Sequence, residues 1–168
     1  MRPRSDARGI EMSDTHATDA DARVAIVSRW ADVPDPRSAQ QIQNLLQTYA
    51  LLCDAGRTDE LAELFTAAST WDGRDHNYGY YQGPEAIAAA VAGHRRADAP
   101  MMHLPGPAVL TAIADDEVHG VSWCLATRWT DGETIPYIHF YYEDVLRRGP
   151  DGQWRIHHRR LRPAFPLR

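Results

Sequence analysis

The chain has 168 residues, enough for one domain with a sizeable core, and 43% of them are apolar, which excludes a chain disordered throughout. Its 23 acidic and 18 basic residues give a net charge of −5, which argues against a general binder of nucleic acid or of anionic membrane. Two cysteines, Cys53 and Cys124, sit inside apolar runs as small core residues rather than as a disulfide framework, and no apolar stretch approaches the ~20 residues of a membrane span.

Residues 1–21 are polar, charged and aperiodic, and predict a disordered tail. No apolar block follows the basic start, so a secretory signal is not expected and a cytoplasmic location is. An arm, 22–37, is broken by Pro34 and Pro36, and a folded body is expected over 38–168. Ser38 is the predicted N-cap of a helix carrying Ile42, Leu45, Leu46, Tyr49, Leu52 and Cys53 at helical spacing. That helix closes in "YALLCDAG", which places Asp54 where the helix dipole disfavours a carboxylate by several tenths of a kcal/mol. Either the turn is well solvated, or the carboxylate has a task.

A second helix is predicted from Thr58 to near Phe65, a short strand over "STWDG" and a loop over "RDHNYGYYQ". A third helix is predicted from Pro84 through "GPEAIAAAVAGH". Beyond residue 100 the texture becomes extended: "HLPGPAVLTAI", interrupted by prolines, then "EVHGVSWCLATRW", "TIPYIHFYYEDVLRR" and "QWRIHHRRL", joined by the turns "TDGE" and "GPDG". Helices first and strands after indicate an α+β fold, a curved antiparallel or mixed sheet wrapped on three helices as a cone whose mouth holds the ligand.

The segments "IQNLLQTYALLCDAGRTDELAELFTAASTWDG", "YQGPEAI" and "DGQWRIHHRRL" carry a resemblance to the SnoaL-like domain of the nuclear transport factor 2-like superfamily, over about residues 38–163. The superfamily spans dehydratases, isomerases, cyclases, a dehydrochlorinase, dioxygenase small subunits and binding modules, so the likeness implies the fold and not one activity. In motif the chain is most similar to bile acid 7-alpha dehydratase and hexachlorocyclohexane dehydrochlorinase. That likeness implies a base, His103, partnered by Asp54, with Tyr49 about one turn earlier and Arg159 five residues after Trp154. The dehydratase carries a further acid on the strand that here reads "VSWCLATRW", and this strand has none.

The residue types fit elimination. Imidazole is a base near working pH, a carboxylate on its other nitrogen fixes the tautomer, a phenol donates to an oxyanion or a leaving hydroxyl, and an arginine offers a fixed charge. Each also has a bland reading: Asp54 as a solvated turn residue, His103 bonded to a backbone carbonyl, Tyr49 as core, Arg159 as surface charge. On an ideal helix Tyr49 and Asp54 lie about 140° apart, so a shared pocket must wrap round the helix end, or the helix must stop first.

Trp71, Tyr81, Trp123, His139 and Asp144 complete the expected substrate-binding set, Asp144 near the position of the donor acid of ketosteroid isomerases and otherwise an edge residue. His157 and His158 point opposite ways on a strand, and no metal is expected. The seven arginines among residues 145–168 read as a solvated face or as a landing strip for an anionic handle. The expectation is therefore a cofactor-independent lyase acting on a hydrophobic cyclic metabolite such as a steroid, polyketide or terpenoid. The alternatives are an isomerase or cyclase, and a binding module or dioxygenase small subunit. A homodimer or homotrimer is expected through the outer face of the sheet.

Overall fold

The computed structural model describes residues 32–95 and 99–165. The expected tail and most of the arm lie outside them. The long helix α1 spans Pro36–Ala55, and its N-cap is Asp35, whose carboxylate accepts from the N–H groups of Arg37 and Ser38 at 3.0 Å each. Ser38, the expected cap, is instead a buried helical residue. Asp35 wins because Pro36 takes the first helical position, where its missing N–H costs nothing and its φ is already helical. Ile42, Leu46, Tyr49 and Cys53 form the buried stripe at spacings of four, three and four. At the far end Gly56 is left-handed at φ 71°, and a Cβ there would strike the Arg95 guanidinium.

The second helix is shorter than expected. α2 spans only Thr58–Leu61 and tightens into a 3₁₀ turn over Ala62–Leu64. Strand β1 (Phe65–Asp72) starts four residues before the expected one, since Phe65, Ser69 and Trp71 all find buried places on the sheet. The expected loop contains a 3₁₀ turn, Arg74–His76, and a short strand β2 (Tyr80–Gln82) that pairs back on β1. Helix α3 spans Pro84–His94, as read from the sequence.

The remaining strands are β3 (Met101–Pro105), β4 (Val109–Ala114), β5 (Glu117–Thr130), β6 (Glu133–Arg148) and β7 (Trp154–Pro163). They form one sheet in the order β2-β1-β7-β6-β5-β3, with β4 also on β5 and only the β1–β7 pair parallel. The proline-rich "PGP" splits what pairs with β5 into two strands: β3 covers Cys124–Arg128 and β4 covers Glu117–Val121. The architecture is α+β with a curved, unclosed seven-stranded sheet around the helices. α1 packs against β3 and β7, and α3 against β1.

Side-chain alternation sorts the two faces. Val118, Cys124 and Ala126 of β5 and Phe140, Tyr142 and Leu146 of β6 face the core. Both cysteines are free, and burial pushes each thiol up to about 12, so they are inert fillers. No described helix is long and apolar enough to cross a membrane.

Candidate functional site

A cavity of about 360 Å³ opens between the C-terminal ends of α1 and α3 and the concave faces of β3, β5 and β6. Its centre is a row across the sheet: His103 pairs with Ala126, and Ala126 with Ile138. The methyl group of Ala126 leaves space beside the imidazole that a larger residue would fill.

Asp54 and His103 meet. Asp54 Oδ1 lies 2.6 Å from His103 Nδ1, and Asp54 Oδ2 accepts from the His103 backbone N–H at 2.9 Å. The carboxylate can only accept from the ring, so the proton is assigned to Nδ1, and Nε2 presents its lone pair. The two side chains keep 20% and 15% of their exposure, at the wall of the cavity. Helix α1 runs through Asp54 to Ala55, and both Tyr49 and Asp54 line the cavity, so the pocket wraps round the helix end with Cys53 between them.

Tyr49 stands at the buried floor. Its hydroxyl accepts from Trp71 Nε1 at 3.1 Å, leaving its own proton for a ligand or for Cys53. Burial pushes the phenol well above its ordinary pKa, so it acts as a hydrogen-bond donor and not as a source of phenolate. Trp71 lines the wall, whereas Tyr81 braces it from behind, its ring 6.0 Å from Trp71 and 6.4 Å from His94.

Arg159 does not touch the cavity. It is 1% exposed and bidentate on Asp144 at 2.8 and 2.9 Å, with its guanidinium between the rings of Tyr49 at 4.2 Å and Tyr142 at 3.9 Å. Register explains this, since Arg159 lies opposite Asp144 on β6 and beside Trp71 on β1, one layer under the floor. Burial disfavours the cation, but Asp144 more than compensates and holds its pKa above the ordinary value. Asp144 is therefore neither a pocket acid nor an edge residue but the counter-ion of a buried pair. Trp123 and His139 are displaced too. Both belong to the exposed face, Trp123 at 53% over Gly106, where a Cβ would strike the indole, and His139 against Phe165.

The landing strip of arginines is largely spoken for. Arg147 pairs with Glu117, Arg155 with Asp151, and Arg160 and Arg162 with Asp75. His157 and His158 separate, bonding Thr66 and Thr70.

The structure adds residues the sequence reading passed over. His94 ends α3 inside the cavity, its ring 4.9 Å from Tyr78 and 6.2 Å from Trp71, and burial lowers its pKa, so it is neutral near pH 7. Its helical partner Val91, three residues back, also lines the pocket, so this spacing was available. Tyr78, Arg128 and Tyr137 frame the mouth.

The family model described as a SnoaL-like domain matches residues 37–160. An NTF2-like protein with a cystatin-like fold from Novosphingobium aromaticivorans is 22% identical at TM-score 0.67, over 93% of this chain and 94% of that one. A candidate scytalone dehydratase from the same organism is 20% identical at TM-score 0.63, over 77% and 88%. The beta subunit of a candidate aromatic-ring-hydroxylating dioxygenase, also from it, is 22% identical at TM-score 0.65, over 86% and 94%. No curated protein matches the sequence.

Proposed function

The chain belongs to the SnoaL-like family, and we propose that it is a lyase that removes water from a hydrophobic cyclic metabolite. The observation that carries this reading is the Asp54–His103 contact of 2.6 Å at the wall of a largely apolar cavity. His103 Nε2 takes a proton from carbon next to an electron-withdrawing group. The C–H electron pair becomes the new C=C bond and the hydroxyl on the adjacent carbon departs. The imidazolium returns the proton to the departing oxygen as water, so the ring ends neutral. Asp54 stabilises that transient cation, which is why an acid is tolerated at the end of α1.

Tyr49 donates to the oxygen on which negative charge develops, and its alignment is set by Trp71 and by Arg159 beneath the ring. Neutral His94, from the opposite wall, is a second donor to the leaving hydroxyl. Arg159 acts through Tyr49 and is a positioning residue.

The test is turnover of hydroxylated cyclic ketones, read by mass spectrometry as loss of water. His103→Gln is expected to lower kcat/KM by about 10²–10⁴, and activity within about threefold of wild type would overturn the assignment of the base. Product of unchanged mass would instead assign an isomerase or cyclase, which share the first proton transfer. Copurification with a large oxygenase subunit would favour the accessory role that the dioxygenase likeness suggests.

A further inference from the structure

The mouth of the cavity is shaped by a break in the β5–β6 ladder. Ala126 pairs with Ile138 but Thr127 with Pro136, so Tyr137 is an extra residue that shifts the register. Proline suits the position, because it has no N–H to give to a ladder and bulges tolerate the loss. Around this shift Arg128 and Tyr137 both line the cavity, although regular alternation from Ile138 would have turned Tyr137 outward. The guanidinium of Arg128 lies over the Tyr137 ring, 3.7 Å from its centroid, and Tyr137 shares a hydrogen bond with Tyr78 across the mouth.

Arg128 has no carboxylate partner among the described residues, and its Nε is buried without a hydrogen-bond partner. Arg147, Arg155, Arg159, Arg160 and Arg162 each reach a carboxylate. Arg95, the other cation at the cavity, is occupied at the end of α1, over Gly56 and within 3.5 Å of the Asp54 carbonyl. The carboxylate of Asp54 is itself engaged by His103. Of the two guanidinium groups lining the cavity, Arg128 is the one held flat by stacking at its mouth, and no carboxylate among the described residues compensates it.

We infer that Arg128 docks a carboxylate of the substrate, so that the molecule taken by this site is an apolar ring system bearing one carboxylate. The inference rests on the pocket being the active site and narrows its substrate class. A single fork matches one carboxylate in charge and in bidentate geometry, while a phosphate dianion would remain half neutralised. The net charge of −5 gives anions no general attraction to this protein, so any preference must be local.

The experiment is calorimetric titration with 2-naphthoate and 2-naphthamide, isosteric rings that differ in charge. Wild type is expected to bind the acid roughly tenfold more tightly than the amide, Arg128→Gln to remove that difference, and Arg128→Lys to keep part of it. His103→Gln should leave the preference intact, so a failed base assignment and a failed docking assignment give different results. Equal affinities in wild type, binding of neither probe, or an Arg128→Gln variant that weakens both probes equally would overturn the inference.

Discussion

Asp54 divides its two oxygens, one to the His103 ring and one to the His103 backbone N–H, and this division makes Asp54→Asn informative. The backbone donor keeps the amide oxygen, so the amide nitrogen faces Nδ1 and donates to it. The ring proton must then move to Nε2, turning the base into a donor. Expected is a tautomer reversal in the ¹⁵N spectrum of His103, with kcat lowered about 10²–10⁴-fold and little loss of stability. An unchanged tautomer would show that Asp54 does not set it. Arg159 and Asp144 make the opposite case, where stability is at stake. Asp144→Ala strands a guanidinium that is almost fully buried and is expected to cost about 3–5 kcal/mol in urea unfolding. The dyad was legible through the family resemblance, the acid at a helix end being its one local signal. The burial of Arg159 was not, since only the register of three strands puts Asp144 beside it.

At the level of elements, periodicity was legible wherever it ran long: α1, α3 and the strands β5 to β7 follow from it with small shifts at their ends. It was silent on β2, three residues held by pairing with β1 rather than by their own pattern. On β5 it left the faces open, and the smaller Ser122, Cys124 and Ala126 face the core while Val121, Trp123 and Leu125 face away from it. The bulge at Tyr137 was signalled only by Pro136 within a strand. The ends of α1 give two tests of local physics. Asp35→Ala removes an acceptor used by two N–H groups and is expected to cost about 0.5–2 kcal/mol. Gly56→Ala forces a side chain into a left-handed residue and onto Arg95, with an expected loss of about 1–2 kcal/mol in urea unfolding and a displaced Arg95.

For the whole molecule, the convex side of the sheet exposes Met102, Leu104, Trp123 and Tyr141 together, an apolar face of the kind that a second copy covers. Sedimentation of Trp123→Glu against wild type checks this, the variant running as a monomer. Partly and fully buried histidines tie stability to pH. His76, His94 and His158 all have pKa values lowered by burial, and the Arg74 hydrogen bond holds Asp72 below the usual carboxylate range. In each case the unfolded chain binds protons more readily than the folded one, so stability rises with pH across the interval between the two states' pKa values. For the histidines that interval starts at the ordinary value of about 6.5 and extends downward, and for Asp72 it lies below about 3.8. The Tm is therefore expected to be level above pH 7 and to fall steadily from pH 6.5 to pH 5, before the carboxylates titrate. His158→Gln, which can still bond Thr70, should flatten that fall without lowering the plateau much. A Tm that rises on acidification through this window would mean that these histidines gain a partner for their charge and do not stay neutral in the fold.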